Sequence, residues 1–218
     1  MAQQPNPVVT DTRSASQIEQ ETANANVDEE RAAVNQRLFQ GKRHWLIAVM
    51  CVSYTMFHLL VMNVYPLETW AYRLSHVGGG LMLGYLLFGS SDFIREPRQR
   101  PAWIGHLILA LAAVGILYGA ASVVAVWVNG AIMGAALPPA WAMNSFGIPL
   151  LLGTGLAIVH GWFFLQADRT RFSLSDILLA IAAVTCTAYL IFFARQLQLR
   201  AGMPMALPGD MWSAVVMV

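Results

Sequence analysis

The chain has 218 residues, of which 57% are hydrophobic and 11% charged, with a formal net charge of +1. Ordinary soluble domains carry about a quarter charged residues, so the composition argues against a water-soluble fold, and so small a charge provides no basic face for nucleic acid. Cys51 and Cys186 both fall within apolar runs, where cysteine acts as a small hydrophobe rather than as half of a disulfide or metal pair.

Residues 1–43 read as a polar arm rich in Gln, Asn, Ala and Glu, without the apolar core and cleavage pattern of a signal peptide. From Ser14 to Gln40 there is no Gly or Pro, and Glu19, Glu21, Asp28, Glu29 and Glu30 precede Arg31, Arg37, Lys42 and Arg43. Acid before base suits the helix dipole, so a polar helix leading into the membrane is one reading of the arm. The other is a disordered tail, because the segment can bury little apolar area.

Residues 44–218 read as a transmembrane helical domain. Apolar runs recur there at about the 20 residues needed to cross ~30 Å of hydrocarbon. The first span runs from His44 to Val64 and ends at the Tyr65 to Thr69 turn, where Pro66 discourages continuation of the helix. The second, Trp70 to Ser90, contains Gly78, Gly79, Gly80 and Gly84, with Gly80 and Gly84 spaced as GxxxG, the pattern that lets helix backbones approach in lipid. A charged loop with two prolines, Ser91 to Ala102, leads to the third span, Trp103 to Val128, with a second such pair at Gly115 and Gly119.

Asn129 to Ser145 carries no charge but holds Pro138, Pro139 and Trp141, which predicts a segment lying on or dipping into the membrane surface. The fourth span, Phe146 to Gln166, places Gly153, Ala157 and Gly161 on one face at intervals of four. After a polar loop, Ser173 or Ser175 is expected to cap a fifth span from Asp176 to Ala194. Met211 to Val218 begins a sixth apolar run too short to cross. The expected fold is all-α and polytopic, with five complete spans, the start of a sixth, and the polar arm in front.

Lys and Arg near span ends are retained in the cytoplasm. With the N-terminus inside, Arg13, Arg31, Arg37, Lys42, Arg43, Arg95, Arg98, Arg100, Arg169 and Arg171 are all cytoplasmic, ten of the thirteen basic residues, leaving Arg73, Arg195 and Arg200 outside. This asymmetry places the chain in a bacterial inner membrane with the arm in the cytoplasm.

Histidine supplies the candidates for cofactor ligation. His58 and His160 lie at intramembrane depth, where a polar group needs a partner. A haem pair is one reading, and interhelical hydrogen bonding is the other. His44 is at the inner interface. Arg73 and His76 sit one turn apart on one face of the second span, with Glu68 in the preceding turn, a latch to another helix or a snorkelling arginine. Ser/His/Asp arrangements, CxxC motifs and phosphate loops are missing, and every acidic residue falls in a tail, loop or span end. No catalytic residue, metal site or resident cofactor is expected, nor a buried carboxylate serving a proton or sodium path.

Two stretches carry a family resemblance. Arg73-Leu-Ser-His76 opens the glycine-rich run RLSHVGGGLMLGYLLF, and Asp176 to Asp210 contains AYLIFFARQLQLRAGMPMALPGD. Together they resemble the N-terminal, small-permease-like region of fused TRAP (tripartite ATP-independent periplasmic) transporter permeases, across about residues 44–218. The matching positions are Arg73, His76, Tyr189, Arg200, Gly202, Pro204 and Asp210; Ala201 and Met203 interrupt the family's turn, and Met205 to Pro208 lengthen the path to Asp210. The resemblance implies a scaffold region of a secondary transporter that does not transport by itself, partnered by a large membrane permease domain and a periplasmic solute-binding protein. The alternative is a permease-derived accessory subunit of a larger membrane complex, respiratory or photosynthetic, such as a reaction centre–light harvesting assembly. A haem- or pigment-binding membrane protein is a third reading.

Overall fold

The computed structural model describes residue 20 and residues 36–89, 101–130, 138–164, 170–200 and 207–217. Apart from residue 20, the segment 1–35 read as a helix or a tail, and the motif positions Gly202 and Pro204, lie outside the described residues. The chain divides into two units, Met1–Val34 and Asn35–Val218, and everything below concerns the second. Residues 36–43, read from the sequence as the end of the polar arm, belong to this helical unit, because side chains at Arg37 and Arg43 bond to its loops and helices.

The described elements are helical: α1 (Lys42–Asn63), α2 (Thr69–Leu87), α3 (Ala102–Val128), a π-helical turn (Trp141–Gly147) running into α4 (Ile148–Phe164), α5 (Leu174–Phe192), the short α6 (Ala194–Arg200) and α7 (Pro208–Met217). Lys42–Asn63, Ala102–Val128, Trp141–Phe164 and Leu174–Phe192 are long and apolar enough to cross a membrane. The protein is an all-α polytopic membrane protein. The second expected span is present as α2, 19 residues long, about 28 Å at 1.5 Å per residue. It is less apolar than the other four because Arg73, Ser75, His76 and four glycines replace aliphatic side chains.

α5 lies at the centre, packed against α2, α3, α4 and α7. Its sequence explains why: Ala180, Ala182, Ala183, Thr185, Cys186 and Thr187 are all buried, and small side chains let neighbouring backbones approach where lipid supplies no hydrophobic drive between helices. Thr185 and Thr187 satisfy their hydroxyls within the helix, donating to the carbonyls of Ile181 and Ala183 at 2.7 and 2.9 Å. α1 is the opposite case. Only Ile47 and Val61 of its 22 residues are buried, and Trp45, Val49, Val52, Met56 and Met62 stand outward.

α3 and α4 cross with their backbones in close approach. A Cβ on Gly115 would lie 2.5 Å from the Pro149 carbonyl oxygen, and one on Gly153 would lie 2.8 Å from the Ala112 oxygen; Gly119 faces Leu150 at 3.2 Å. Ala157 and Gly161 continue the buried face of α4. In α2 the contact falls elsewhere than the GxxxG spacing indicates. Gly84 has nothing within 4 Å and Gly80 has only the Tyr54 hydroxyl at 3.8 Å, whereas Gly78 abuts Thr187 of α5 and Gly79 abuts the Tyr54 ring of α1. Helix faces repeat every 3.6 residues, so a helix sandwiched between two partners uses adjacent glycines for opposite neighbours.

Residues 141–147 also depart from the surface segment expected there. They form the wide turn that opens the fourth span, with Ala142, Phe146 and Gly147 buried. Pro149 is the cause on the sequence side: it cannot donate a backbone hydrogen bond, and its ring crowds the carbonyl four residues earlier. The Trp141 ring turns inward and stacks on Phe146 and Tyr189, centroids 6.1 and 6.5 Å away.

Candidate functional site

Three polar arrangements interrupt the apolar body. The first is built on Arg37, which precedes α1. Its backbone N–H donates to the Leu87 carbonyl at the end of α2 at 2.9 Å. Its guanidinium donates to the Arg171 carbonyl and forms an ion pair with the Asp176 carboxylate in the first turn of α5, both side chains 1% exposed. Arg43 donates to the Thr170 carbonyl at 2.8 Å, tying the same loop to α1. The absence of a buried carboxylate expected from the sequence is therefore corrected: Asp176 is buried. A charge withdrawn from water persists only when paired and hydrogen-bonded, and Arg37 supplies both. Ser173 takes the cap position of α5 but makes no side-chain cap bond; its hydroxyl meets that of Ser175 at 2.6 Å.

The second arrangement joins α1 and α2. His58 Nε2 and His76 Nδ1 are 3.1 Å apart. The Tyr54 hydroxyl lies 3.2 Å from His76 Nδ1 and donates to the His76 carbonyl at 2.6 Å. The Tyr72 ring meets the His58 ring edge-on at 5.5 Å. His76 thus fastens α2 to α1, while Arg73, one turn away, is exposed. The two intramembrane histidines singled out from sequence are in different surroundings. His58 is in this cluster, and His160 lies beside His106 on the wall of a cavity formed by α3, α4 and the start of α5.

The third arrangement sits where α5 meets α7. Tyr189, fully buried, donates from its hydroxyl to Asp210 Oδ1 at 3.0 Å. Asp210 Oδ2 accepts the Leu207 backbone N–H at 3.1 Å, so one carboxylate both caps α7 and anchors it to α5. Gly209 allows the approach, since a Cβ there would lie 2.5 Å from the Tyr189 hydroxyl. Phe146 stacks on the Tyr189 ring at 4.3 Å. The apolar run expected from Met211 begins one turn earlier, at Pro208, because proline is favoured in a first helical turn. Arg200 ends α6.

Comparison with known protein families, with curated proteins and with solved structures yields no match. The geometry therefore stands by itself. Among the described residues, no group of three or more His, Cys, Asp or Glu side chains is arranged to hold a metal ion. The sequence singled out His58, His76, Tyr189 and Asp210 and named Gly78 and Gly79 within the glycine-rich second span, but assigned no site role to Arg37 or Tyr54. Tyr54 was detectable in principle, lying four residues before His58 and hence on its face of α1. Arg37 was not, because its partner is 139 residues away.

Proposed function

We propose that this protein is a scaffold membrane subunit, or region, of a TRAP-type secondary transporter, held in a bacterial inner membrane with residues 36–43 at the cytoplasmic side. It catalyses no reaction and transports nothing by itself; its partners are a large membrane permease domain and a periplasmic solute-binding protein. The observation that carries this reading is the Tyr189 to Asp210 hydrogen bond. Two positions of the family motif, 21 residues apart, meet at the start of the helix that in such permeases leads toward the transporting domain. Each of the three polar joints ties one part of the chain to another, Arg37 to Asp176, His58 to His76 and Tyr189 to Asp210, which supports a scaffold reading.

The second reading, an accessory subunit of a larger respiratory or photosynthetic complex, rests on α1, which covers almost nothing of its own chain and offers a full span to a neighbour. Two experiments test the pair. In liposomes with an imposed sodium gradient, the chain alone should take up no more labelled dicarboxylate than empty vesicles; uptake above that level overturns the scaffold reading. A photo-crosslinking residue placed at Val49 or Met56 in native membranes should then capture a large permease. Capture of a redox or pigment-protein subunit instead decides for the accessory reading.

A further inference from the structure

The joint between α1 and α2 is unlike the other two, because its two halves are the same chemical group. A hydrogen bond between neutral imidazoles needs one nitrogen that bears hydrogen and one that does not, and His58 Nε2 and His76 Nδ1 stand 3.1 Å apart. Which of them bears it follows from the surroundings of His58. Its Nδ1 is buried and has no hydrogen-bond partner among the described residues. Hydrogen placed there would make a buried donor with nothing to receive it, the rarer kind of orphan and a costly one. The His58 hydrogen therefore sits on Nε2 and is donated to His76 Nδ1, and His76 keeps its own on Nε2.

Tyr54 completes the arrangement. Its hydroxyl hydrogen is committed to the His76 carbonyl at 2.6 Å, so toward His76 Nδ1, 3.2 Å away, the phenol presents oxygen lone pairs. While Nδ1 bears no hydrogen, those two atoms make no bond. A proton added to His76 must enter at Nδ1, since Nε2 is already occupied. His58 Nε2–H then faces a second N–H, and His58 can relieve the clash only by moving its hydrogen to the buried Nδ1. The Tyr54 oxygen is the acceptor within reach of the new N–H. The other ionisable side chains about the joint are Tyr72, whose ring meets His58, Arg73 one turn before His76, Cys51 earlier on α1 and Glu68 in the connecting turn. α5 meets α2 on another side, through Thr187 at Gly78. Of these side-chain types, imidazole alone titrates between about pH 5 and 8.

We infer that the His58–His76 contact is a proton-controlled latch: it is made only while both rings are neutral, and uptake of one proton hands His76 Nδ1–H to the Tyr54 oxygen and releases His58. His76 is the exposed ring of the two and His58 the more covered, which places the entering proton on His76. α1 then keeps its tie to α2 through Tyr54 and loses the one through His58. Because α1 buries only Ile47 and Val61, the loss falls on a helix little held by packing. None of this depends on the transporter reading.

The full chain, carrying nitrogen-15 histidine, is reconstituted in lipid and its ring nitrogens are observed by magnetic resonance at about pH 8 and about pH 5, with His58→Gln assigning the signals. At the higher pH His58 should be protonated at Nε2 and coupled to His76 Nδ1 through the shared hydrogen. At the lower pH His76 should carry hydrogen on both nitrogens and the coupling should be lost. Hydrogen on His58 Nδ1 at the higher pH, or a coupling that survives acid, overturns the inference. Thermal midpoints over the same interval read the consequence. Because the latch is made only by neutral rings, acid costs the folded state a bond and the wild-type midpoint should fall. Tyr54→Phe should fall further, since no oxygen receives the new N–H. His76→Gln keeps an acceptor for His58 but takes up no proton, so the His76 share of the fall should be lost. A fall in His76→Gln equal to that of the wild type, or one in Tyr54→Phe no larger than it, overturns the latch. If His76→Gln does not fold, the wild-type nitrogen spectra decide.

Discussion

Arg37 and Asp176 meet across 139 residues of chain, each side chain 1% exposed, and so connect the segment before the first span to the start of the central helix. Removing one partner of such a pair strands a buried charge, at a cost of about 3–5 kcal/mol. Arg37→Met and Asp176→Leu should each lower the thermal midpoint and membrane yield sharply. The double variant should recover part of the loss, because no charge is then left unmatched. Losses that simply add in the double variant would show that the two groups do not interact.

The crossing of α3 and α4 predicts a graded response to side chains on glycine. Gly115→Leu and Gly153→Leu place carbon into backbone oxygen atoms at 2.5 and 2.8 Å and should abolish a monodisperse product in size-exclusion chromatography. Gly84→Leu and Gly155→Leu meet nothing within 4 Å and should elute as the wild type does. Equal tolerance at all four positions would show that the α3 and α4 backbones do not approach as described.

Tyr189→Phe removes one hydroxyl while preserving the ring stacked on Phe146. The expected cost is about 1.5–3 kcal/mol, the range for a hydrogen bond to a charged group, seen as a lower thermal midpoint in detergent. Asp210→Ala removes the same bond and the α7 cap together, so it should cost more. A readout local to α7 is labelling of a cysteine placed at Trp212, whose ring packs on Gly147. Labelling should accelerate when Tyr189→Phe is added; an unchanged rate would mean that the hydrogen bond does not hold α7.

The orientation is checked by cysteine accessibility. Thr170→Cys and Glu68→Cys lie at opposite ends of the spans, and a membrane-impermeant maleimide added to the periplasmic side should modify the second and spare the first. The reverse pattern would invert the topology derived from the ten-to-three distribution of basic residues.

The number and order of long helices were legible in the amino-acid sequence because crossing hydrocarbon is a local requirement: a run of about 20 apolar residues satisfies it whatever the rest of the chain does. The α3 and α4 glycines were legible for a related reason, since small residues at intervals of four mark a face. Which face of a helix meets which neighbour is a different matter. Gly78 and Gly79 became contacts because α5 and α1 flank α2 on two sides, and spacing within α2 cannot encode that. Asp176 read as a solvated span end because its neighbours in sequence are a polar loop, yet in space Arg37 closes over it. The inward turn of Trp141 depends likewise on Tyr189 being present to receive it. Local hydrophobicity determined what enters the membrane. Only tertiary structure decided how the polar residues are matched, because each match joins groups that are distant in the chain, and a buried charge or hydroxyl is tolerated only where its partner stands.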